Sequence, residues 1–268
     1  MIERCMMPEK KNNYSKERFT RFWERMARTY PLPFDEKTLA ETQKVISLVK
    51  NQGLSFSKAH ILDIGCGTGI YTLPLAAQAA QVTGMDDSDA MIGRMKGVIS
   101  ARGIENVQAV KASWQDMDIQ ESGFEKAFDI VWASMTPALR TVQDFCRMEQ
   151  CAKTWCVFIG WGQKRKDALM QEVFDLHGLE FGPPPGAEAA RKILESLGRT
   201  PSIDYFETSW TWSGSLADAL ENMACFIEMQ GKTADDDQIR KVVNRHQQNG
   251  EVQHVTEVEE GIMVWQVA

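Results

Sequence analysis

Glycines and one acid follow a short apolar run near residue 60. The apolar run covers residues 60–64 and has Asp63 near its end. The loop that leaves it contains Gly65, Cys66, Gly67, Thr68 and Gly69. Glycine accepts positive φ angles and lets a ligand approach the backbone closely. The start of the helix that follows also offers free N–H groups. These features predict a ligand site at the end of a buried strand.

The spacing of the loop separates it from a dinucleotide site. The dinucleotide fingerprint is Gly-x-Gly-x-x-Gly, whereas the last interval here, from Gly67 to Gly69, is one residue shorter. The carboxylate of Asp63 is unfavourable beside a pyrophosphate but favourable beside an ammonium group. The loop therefore indicates the methionine moiety of S-adenosylmethionine (SAM).

A second acidic site follows the next predicted strand, at residues 81–85. Asp86 and Asp87 stand at its end, immediately before Ser88. A carboxylate on the strand beside the glycine loop can accept two hydrogen bonds from ribose hydroxyls. We expect Asp86 to do so, because it lies at the strand terminus, with Asp87 sharing or replacing that role. The alternative is that these acids only cap the following helix.

The elements around these motifs alternate between strands and helices. Apolar runs predict strands at residues 60–64, 81–85, 106–111, 128–134 and 154–160. Helical patterns lie between them at residues 70–80, 88–102 and 141–151. This order predicts a doubly wound parallel sheet with right-handed crossovers.

Additional elements lie on either side of this core. Two helices precede it, at residues 14–30 and 36–52, and helices at 164–176, 188–197, 215–229 and 235–248 follow it, together with strands at 203–210 and 252–267. We expect a mobile tail at 1–13 and one domain over 14–268. Its cofactor core covers about 55–160, and helical cap elements cover about 14–53, 164–198 and 213–249. Four aromatic residues outside the cofactor core are candidates for contact with a substrate: Trp23, Tyr30, Trp210 and Trp212.

Three segments together resemble a known family. Residues 61–75, 84–91 and 128–134 resemble the class I, Rossmann-like, SAM-dependent methyltransferases, in the small-molecule branch akin to the quinone-biosynthesis C-methyltransferases. The resemblance covers roughly residues 55–160. It implies an α/β fold with a doubly wound, mostly parallel seven-stranded sheet, helices on both faces, an antiparallel last strand and a helical cap.

The resemblance also assigns roles around the cofactor. It places Asp63 near the amino group, the glycine loop along the methionine and ribose, Asp86 at the ribose and Met91 near the adenine. Family members usually carry an Asp where Ser113 stands, so the adenine contact departs from the pattern. Trp114 or Asp116 is expected to compensate. Ser134 and Met135 are expected to face the cofactor from the end of the fourth strand.

Composition and charge limit the classes of partner that the protein is expected to bind. The formal charge is −7, from 30 basic and 37 acidic residues, so the chain lacks the basic footprint typical of nucleic-acid binding. No apolar run approaches the ~18 residues of a membrane span, and the N-terminus lacks the apolar stretch of a secretory signal. Neither cysteines nor histidines show metal-ligand spacing. We expect a cytoplasmic protein without membrane, metal or nucleic-acid partners. The sequence leaves its oligomeric state open.

These observations favour a methyltransferase that acts on a small-molecule acceptor and releases S-adenosylhomocysteine (SAH). Because the sulfonium is already activated, in-line SN2 displacement needs mainly proximity, and the sequence shows no obvious catalytic residue. Two alternatives remain at this stage. They are a SAM-binding regulatory protein without catalysis and an NAD-dependent oxidoreductase with an atypical loop.

Overall fold

The computed structural model describes residues 16–267, with side chains from residue 19 onward. The predicted tail at 1–13 therefore lies outside the described residues. The strands are β1 His60–Ile64, β2 Gln81–Asp86, β3 Val107–Lys111, β4 Phe128–Ser134, β5 Ala152–Lys166, β6 Ser202–Ser215, β7 Gln247–Gln248 and β8 Glu251–Gln266. The helices are α1 Lys16–Met26, α2 Glu36–Asn51, α3 Thr72–Ala76, α4 Asp89–Arg102, α5 Val142–Cys151, α6 Ala168–Leu176, α7 Ala187–Ser196, α8 Leu216–Met229 and α9 Asp236–Arg245.

The strands form one mixed sheet in the order β3-β2-β1-β4-β5-β8-β6, and the short β7 pairs with β8. Strands β1 to β5 run parallel, and β8 is antiparallel to both β5 and β6. Ile64 aligns with Met85 on one side and Ala133 on the other, so these strands end at a common edge. The predicted α/β class, the mostly parallel sheet and the antiparallel last strand are confirmed. The predicted number of seven strands is corrected to eight, because the short β7 adds a strand beside β8.

Helices cover both faces of the sheet, as predicted. On one face, α2 contributes Val45 and Val49 to a core that contains Ile61 and Trp132. On the other face, α5 and α7 pack against Leu62 and neighbouring strands. The assignment of α2 and α7 to a cap is therefore corrected, because their apolar sides are buried against strands.

A separate apolar cluster joins α6, α8 and α9, which we call the cap. It contains Leu169 and Phe174 of α6, Met223 of α8 and Val243 of α9, and it reaches β8 at Val252. Helix α1 runs beside α8 and α4. The cap is therefore built by the late helices, with α1 bridging it to the parallel core.

Three late elements differ from the predicted bounds. Strand β6 runs to Ser215 instead of ending at residue 210, because its pairing with β8 continues to Glu251. Residues 164–166 continue β5 because Arg165 and Lys166 pair with β8, and α6 begins only after Asp167, which accepts a hydrogen bond from the Met170 N–H. Helix α9 ends at Arg245 because residues 247–252 form a hairpin. Its turn residues, Asn249 and Gly250, have φ angles of 51° and 87°, as a tight β-turn requires.

Candidate functional site

The glycine loop leaves β1 at the common edge of the parallel strands. Gly65, Gly67 and Gly69 have φ angles of 69°, 56° and 87°, a region that favours glycine. The N–H of Gly65 and the next N–H both donate to the Met85 carbonyl, at 2.8 and 3.0 Å. A Cβ on Gly67 would lie no closer than 3.9 Å to a neighbour, the Tyr30 ring. The loop is therefore tied to β2, and its middle glycine leaves room above the backbone.

Asp63 lies beneath this loop, near the end of β1. It is 2% exposed, and its Oδ2 accepts a hydrogen bond of 2.6 Å from Thr72 Oγ1. The pKa of Asp63 is raised to about 7, mainly by burial and also by the charge of the nearby Asp86, while hydrogen bonding from Thr72 opposes the shift. The described residues offer Asp63 no ion-pair partner. A positively charged ligand would therefore be stabilised beside this carboxyl group.

Asp86 stands at the last position of β2, facing the loop. One carboxylate oxygen accepts from the Gly67 N–H and the other from the Ser88 N–H, each at 2.9 Å. Burial raises its pKa, against the lowering effect of these backbone bonds. Asp87 is half-buried next to it. Since each carboxylate oxygen can accept a second hydrogen bond, Asp86 is available to ribose hydroxyls as proposed.

Three further predicted residues lie in the glycine loop or pack against it. Cys66 is 8% exposed and packs with Leu73 and Met95. Thr68 is fully buried, and its hydroxyl donates to the Pro31 carbonyl at 2.7 Å. Met91 lies in the first turn of α4, and its sulfur is 4.0 Å from where a Cβ on Gly67 would stand. The structure thus brings Cys66, Thr68 and Met91 around the loop.

Ser113 and Trp114 follow β3. The Trp114 indole is 3% exposed and belongs to the core of one sheet face. Arg147 donates to the Trp114 carbonyl at 2.7 Å, and its guanidinium lies 5.1 Å from the indole centroid. The indole is thus committed to packing. A contact with adenine is accordingly expected from the half-buried Ser113 or from the backbone here.

Ser134 and Met135 come at the end of β4, beside the glycine loop. Met135 has a φ angle of 48°, and its N–H donates to the Ile159 carbonyl at 2.8 Å. The next residue, Thr136, lies where a Cβ on Gly65 would stand. The end of β4 therefore packs directly against the loop, as the prediction for these residues requires.

The four aromatic candidates for substrate contact lie in two separate regions of the structure. Trp23 and Tyr30 contact each other with ring centroids 6.2 Å apart, and Tyr30 lies over Gly67. Trp210 packs on Trp161 at 5.3 Å, and Trp212 packs on His254 at 5.5 Å, further along β6. The structure brings the first pair to the loop and places the second pair toward the cap.

One acid at this edge is absent from the sequence-based prediction. Glu260 of β8 is 6% exposed, and burial, followed by the charge of Glu41, raises its pKa to about 7. The only sequence signal is a charged residue that directly precedes the apolar run at 261–265. We call Asp63, Asp86 and Glu260 the acidic edge.

The acidic edge lacks compensating charge. In the described part of the chain, neither lysine nor arginine forms an ion pair with its three carboxyl groups. Buried charges are normally paired, so these groups fit a ligand that brings positive charge. SAM carries a sulfonium and an ammonium group, whereas NAD carries a pyrophosphate. The residues therefore fit SAM and not NAD.

A family described as "Methyltransferase domain" matches residues 61–153. These residues form a class I methyltransferase domain. The match contains the glycine loop, Asp86 and the end of β4. The predicted class I methyltransferase family and its cofactor, SAM, are thereby confirmed, whereas the small-molecule branch stays a prediction.

Two curated relatives of known activity each match about a third of the chain or less. A 23S rRNA (uracil(1939)-C(5))-methyltransferase from Aeromonas salmonicida is 37% identical over 71 residues, which are 26% of this chain and 16% of that protein. A ubiquinone biosynthesis O-methyltransferase from Rickettsia felis is 31% identical over 87 residues, 32% of this chain and 33% of that protein. The chain thus spans a third or less of either relative's length.

The fold likeness extends further than the sequence likeness. The YcgJ protein from Bacillus subtilis superposes with a TM-score of 0.52 at 11% identity, covering 84% of this chain and 98% of that one. The comparison shows a shared fold. No described helix is both long enough and apolar enough to cross a membrane, and among residues 16–267 no three potential ligands cluster as a metal site.

Proposed function

We propose that the protein transfers a methyl group from SAM to a small-molecule acceptor and releases SAH. The observation that carries this proposal is the acidic edge: the buried Asp63 and Glu260 and the half-buried Asp86 lie at the ends of the strands, and none forms an ion pair with a described cation. Asp63 and Asp86 stand on either side of the glycine loop within the stretch that matches a methyltransferase domain. A cationic methyl donor supplies the charge that these groups lack.

The chain's own residues divide the work of holding the donor. Asp63 binds the ammonium group, Asp86 accepts hydrogen bonds from the ribose hydroxyls, and Met91 packs beside the adenine. The backbone of Gly65 and Gly67 permits close approach. When bound, SAM supplies an activated methyl group on sulfur.

Catalysis in this proposal comes mainly from position. Alignment of an acceptor with the sulfur–methyl bond can contribute ~7–11 kcal/mol without a dedicated catalytic side chain. Trp23 and Tyr30 cover the loop from the N-terminal side and exclude water. Arg94 of α4 holds this cover in place, since its guanidinium donates to the Tyr30 carbonyl at 2.8 Å.

A small-molecule acceptor is favoured over RNA by charge. The formal charge of −7 opposes binding of a phosphate backbone. The ubiquinone biosynthesis relative supports a small acceptor, whereas the rRNA relative points the other way. Tritium-labelled SAM incubated with fractionated extract should label material below the size of tRNA. Label confined to ribosomal RNA would refute this part of the proposal.

Isothermal titration with SAM and SAH tests the donor, and NADH fluorescence tests the competing cofactor. We expect both SAM and SAH to bind and NADH to give no signal. Binding of NADH without SAM would make the protein an oxidoreductase. Binding of SAM without turnover of any acceptor in extract would instead favour a regulatory protein.

A further inference from the structure

Glu260 lies at the same edge of the sheet as the glycine loop. On β8 it pairs with Trp161 of β5, one position beyond the Gly160–Gly261 pair. Ile159, two residues before Trp161 on β5, is aligned with Ser134 at the end of β4. Glu260 therefore stands just past the carboxyl ends of the parallel strands, where ligands bind in open α/β sheets.

Its side chain projects to the same face of the sheet as Asp63. Side chains alternate between faces along a strand. Ile262 on β8 and Ile61 on β1 belong to one core cluster, and Glu260 and Asp63 each lie two residues from these positions. The two carboxyl groups thus share one face at one edge, with β4 and β5 between their strands.

Two tyrosines connect Glu260 to the loop. The pKa of Tyr30 is raised to about 12, mainly by burial and then by the charges of Asp86 and Glu260. Burial, followed by the charge of Glu260, also raises the pKa of Tyr71. Tyr30 covers Gly67, and Tyr71 directly precedes α3, the helix after the loop. Both tyrosines therefore lie close enough to Glu260 to feel its charge, and Tyr30 also feels the charge of Asp86.

Glu260 also lacks the partners that a structural acid would have. Glu260 is 6% exposed, and its carboxyl group forms neither a hydrogen bond nor an ion pair within residues 16–267. Its charged neighbour on α2, Glu41, accepts a hydrogen bond from Thr208 and repels it. An uncompensated buried carboxyl group costs stability, which indicates that a ligand provides its partner.

We propose that Glu260 faces the transferred methyl group from the acceptor side and is the proton acceptor for an acceptor molecule that carries a hydroxyl or amino group. This inference rests on the proposed function. The acceptor's oxygen or nitrogen forms a bond to the methyl carbon while the carbon–sulfur bond breaks and leaves its electron pair on sulfur. The proton of the acceptor atom passes to the Glu260 carboxylate, which returns it to solvent after product release.

The difference between SAM and SAH provides a test that needs no known acceptor. Both ligands carry the same amino acid and nucleoside, but only SAM carries the sulfonium. A positive charge close to Glu260 lowers its pKa, so SAM should release more protons than SAH on binding. Isothermal titration at pH 7 in buffers of different ionisation enthalpy counts these protons. We expect about half a proton more for SAM, as for a carboxyl group that titrates near pH 7 and is shifted by about one unit.

Two isosteric variants assign the released proton. Glu260→Gln should abolish the excess for SAM, while Glu259→Gln, the neighbouring carboxyl group on the opposite face, should retain it. The other titratable groups that face Glu260 are Glu41, Tyr30 and Tyr71, and all remain in both variants. Circular dichroism checks that each variant is folded.

Three outcomes would overturn the inference. An excess that persists in Glu260→Gln would place the responding group elsewhere. A loss of SAH affinity by more than tenfold in Glu260→Gln would place Glu260 against the nucleoside or amino acid instead of the methyl group. Failure of the wild-type protein to bind either SAM or SAH would refute the proposed function itself. This result differs from a failure of the Glu260 inference, because it is seen without any variant.

Discussion

Buried carboxyl groups in two regions of this molecule behave in opposite ways. In the cap, the Asp167 side chain is fully buried, and it accepts hydrogen bonds from His254, Thr256 and the Met170 N–H. Burial alone would raise the pKa of Asp167, but His254 and the other donors bring it below its usual value. At the acidic edge, Asp63 and Glu260 are similarly buried, yet their pKa values rise to about 7.

The difference lies in what surrounds each group. Asp167 joins β8 to the start of α6, so its partners are provided by the fold and serve to attach the cap. Asp63 has one hydroxyl donor, and Glu260 has none among the described residues. The fold therefore provides hydrogen-bond donors for Asp167, which stabilises the cap. It leaves Asp63 and Glu260, which would lie near the proposed cation, with few or no donors.

The largest expected effect is the loss of stability when the buried acid of the cap, Asp167, is removed. Asp167→Ala should reduce the free energy of unfolding by about 3–5 kcal/mol, because it leaves His254 buried without its partner. Urea denaturation measures the change. Asp175→Ala, an exposed acid of the same helix, is the control and should stay within about 0.5 kcal/mol. An Asp167→Ala protein as stable as this control would remove the contrast.

Asp86→Ala should weaken SAM binding by about 100-fold or more. The two proposed hydrogen bonds to ribose hydroxyls contribute about 1.5–3 kcal/mol each, since the acceptor is charged. Titration calorimetry gives the affinity. Asp87→Ala should have a smaller effect, and the reverse order would mean that Asp87 is the ribose-binding acid.

Asp63→Asn should change stability and binding in opposite directions. The raised pKa means that an ionised Asp63 destabilises the empty protein at pH 8, by up to about 4 kcal/mol for a shift of about three units. The amide avoids this cost and can still accept the Thr72 hydrogen bond. We expect a higher melting temperature at pH 8 and at least tenfold weaker SAM binding. Lower stability together with unchanged affinity would show that Asp63 is a structural acid.

The smallest effect is the pH dependence of the wild-type protein. Below pH 7 the Asp63 and Glu260 carboxyl groups are increasingly protonated in the empty site, so SAM must displace protons to bind. Affinity should rise from pH 6 to about pH 7.5 and then level off. Stability without ligand should fall over this interval, since the folded state binds more protons than the unfolded state. Thermal unfolding and calorimetry across this range measure both, and a flat affinity profile would contradict the assignment.

The sequence was sufficient for the parallel core and its glycine loop. Asp63 and the loop glycines are consecutive, and Asp86 ends the neighbouring strand, so local patterns place them together. Glu260 was not predictable in this way. It reaches the edge only because β8 pairs antiparallel with β5, and that pairing joins residues about a hundred positions apart.

The extension of β5 had a similar cause. Residues 164–166 have a helical pattern, but pairing with β8 keeps them extended. By contrast, the end of α9 had a local signal, because Asn249-Gly250 is a typical hairpin turn. Contacts across the sheet, which no local pattern contains, thus decided both the missed acid and the missed strand.

A crystal structure of the complex with SAM tests the central claim most directly. The account predicts ribose hydroxyls within about 3 Å of the Asp86 oxygens and the ammonium group beside Asp63. It also predicts that the methyl group points toward Glu260. A complex in which SAM binds away from the glycine loop, or in which all three carboxyl groups remain without contact to the ligand or to the space beyond its methyl group, would contradict it.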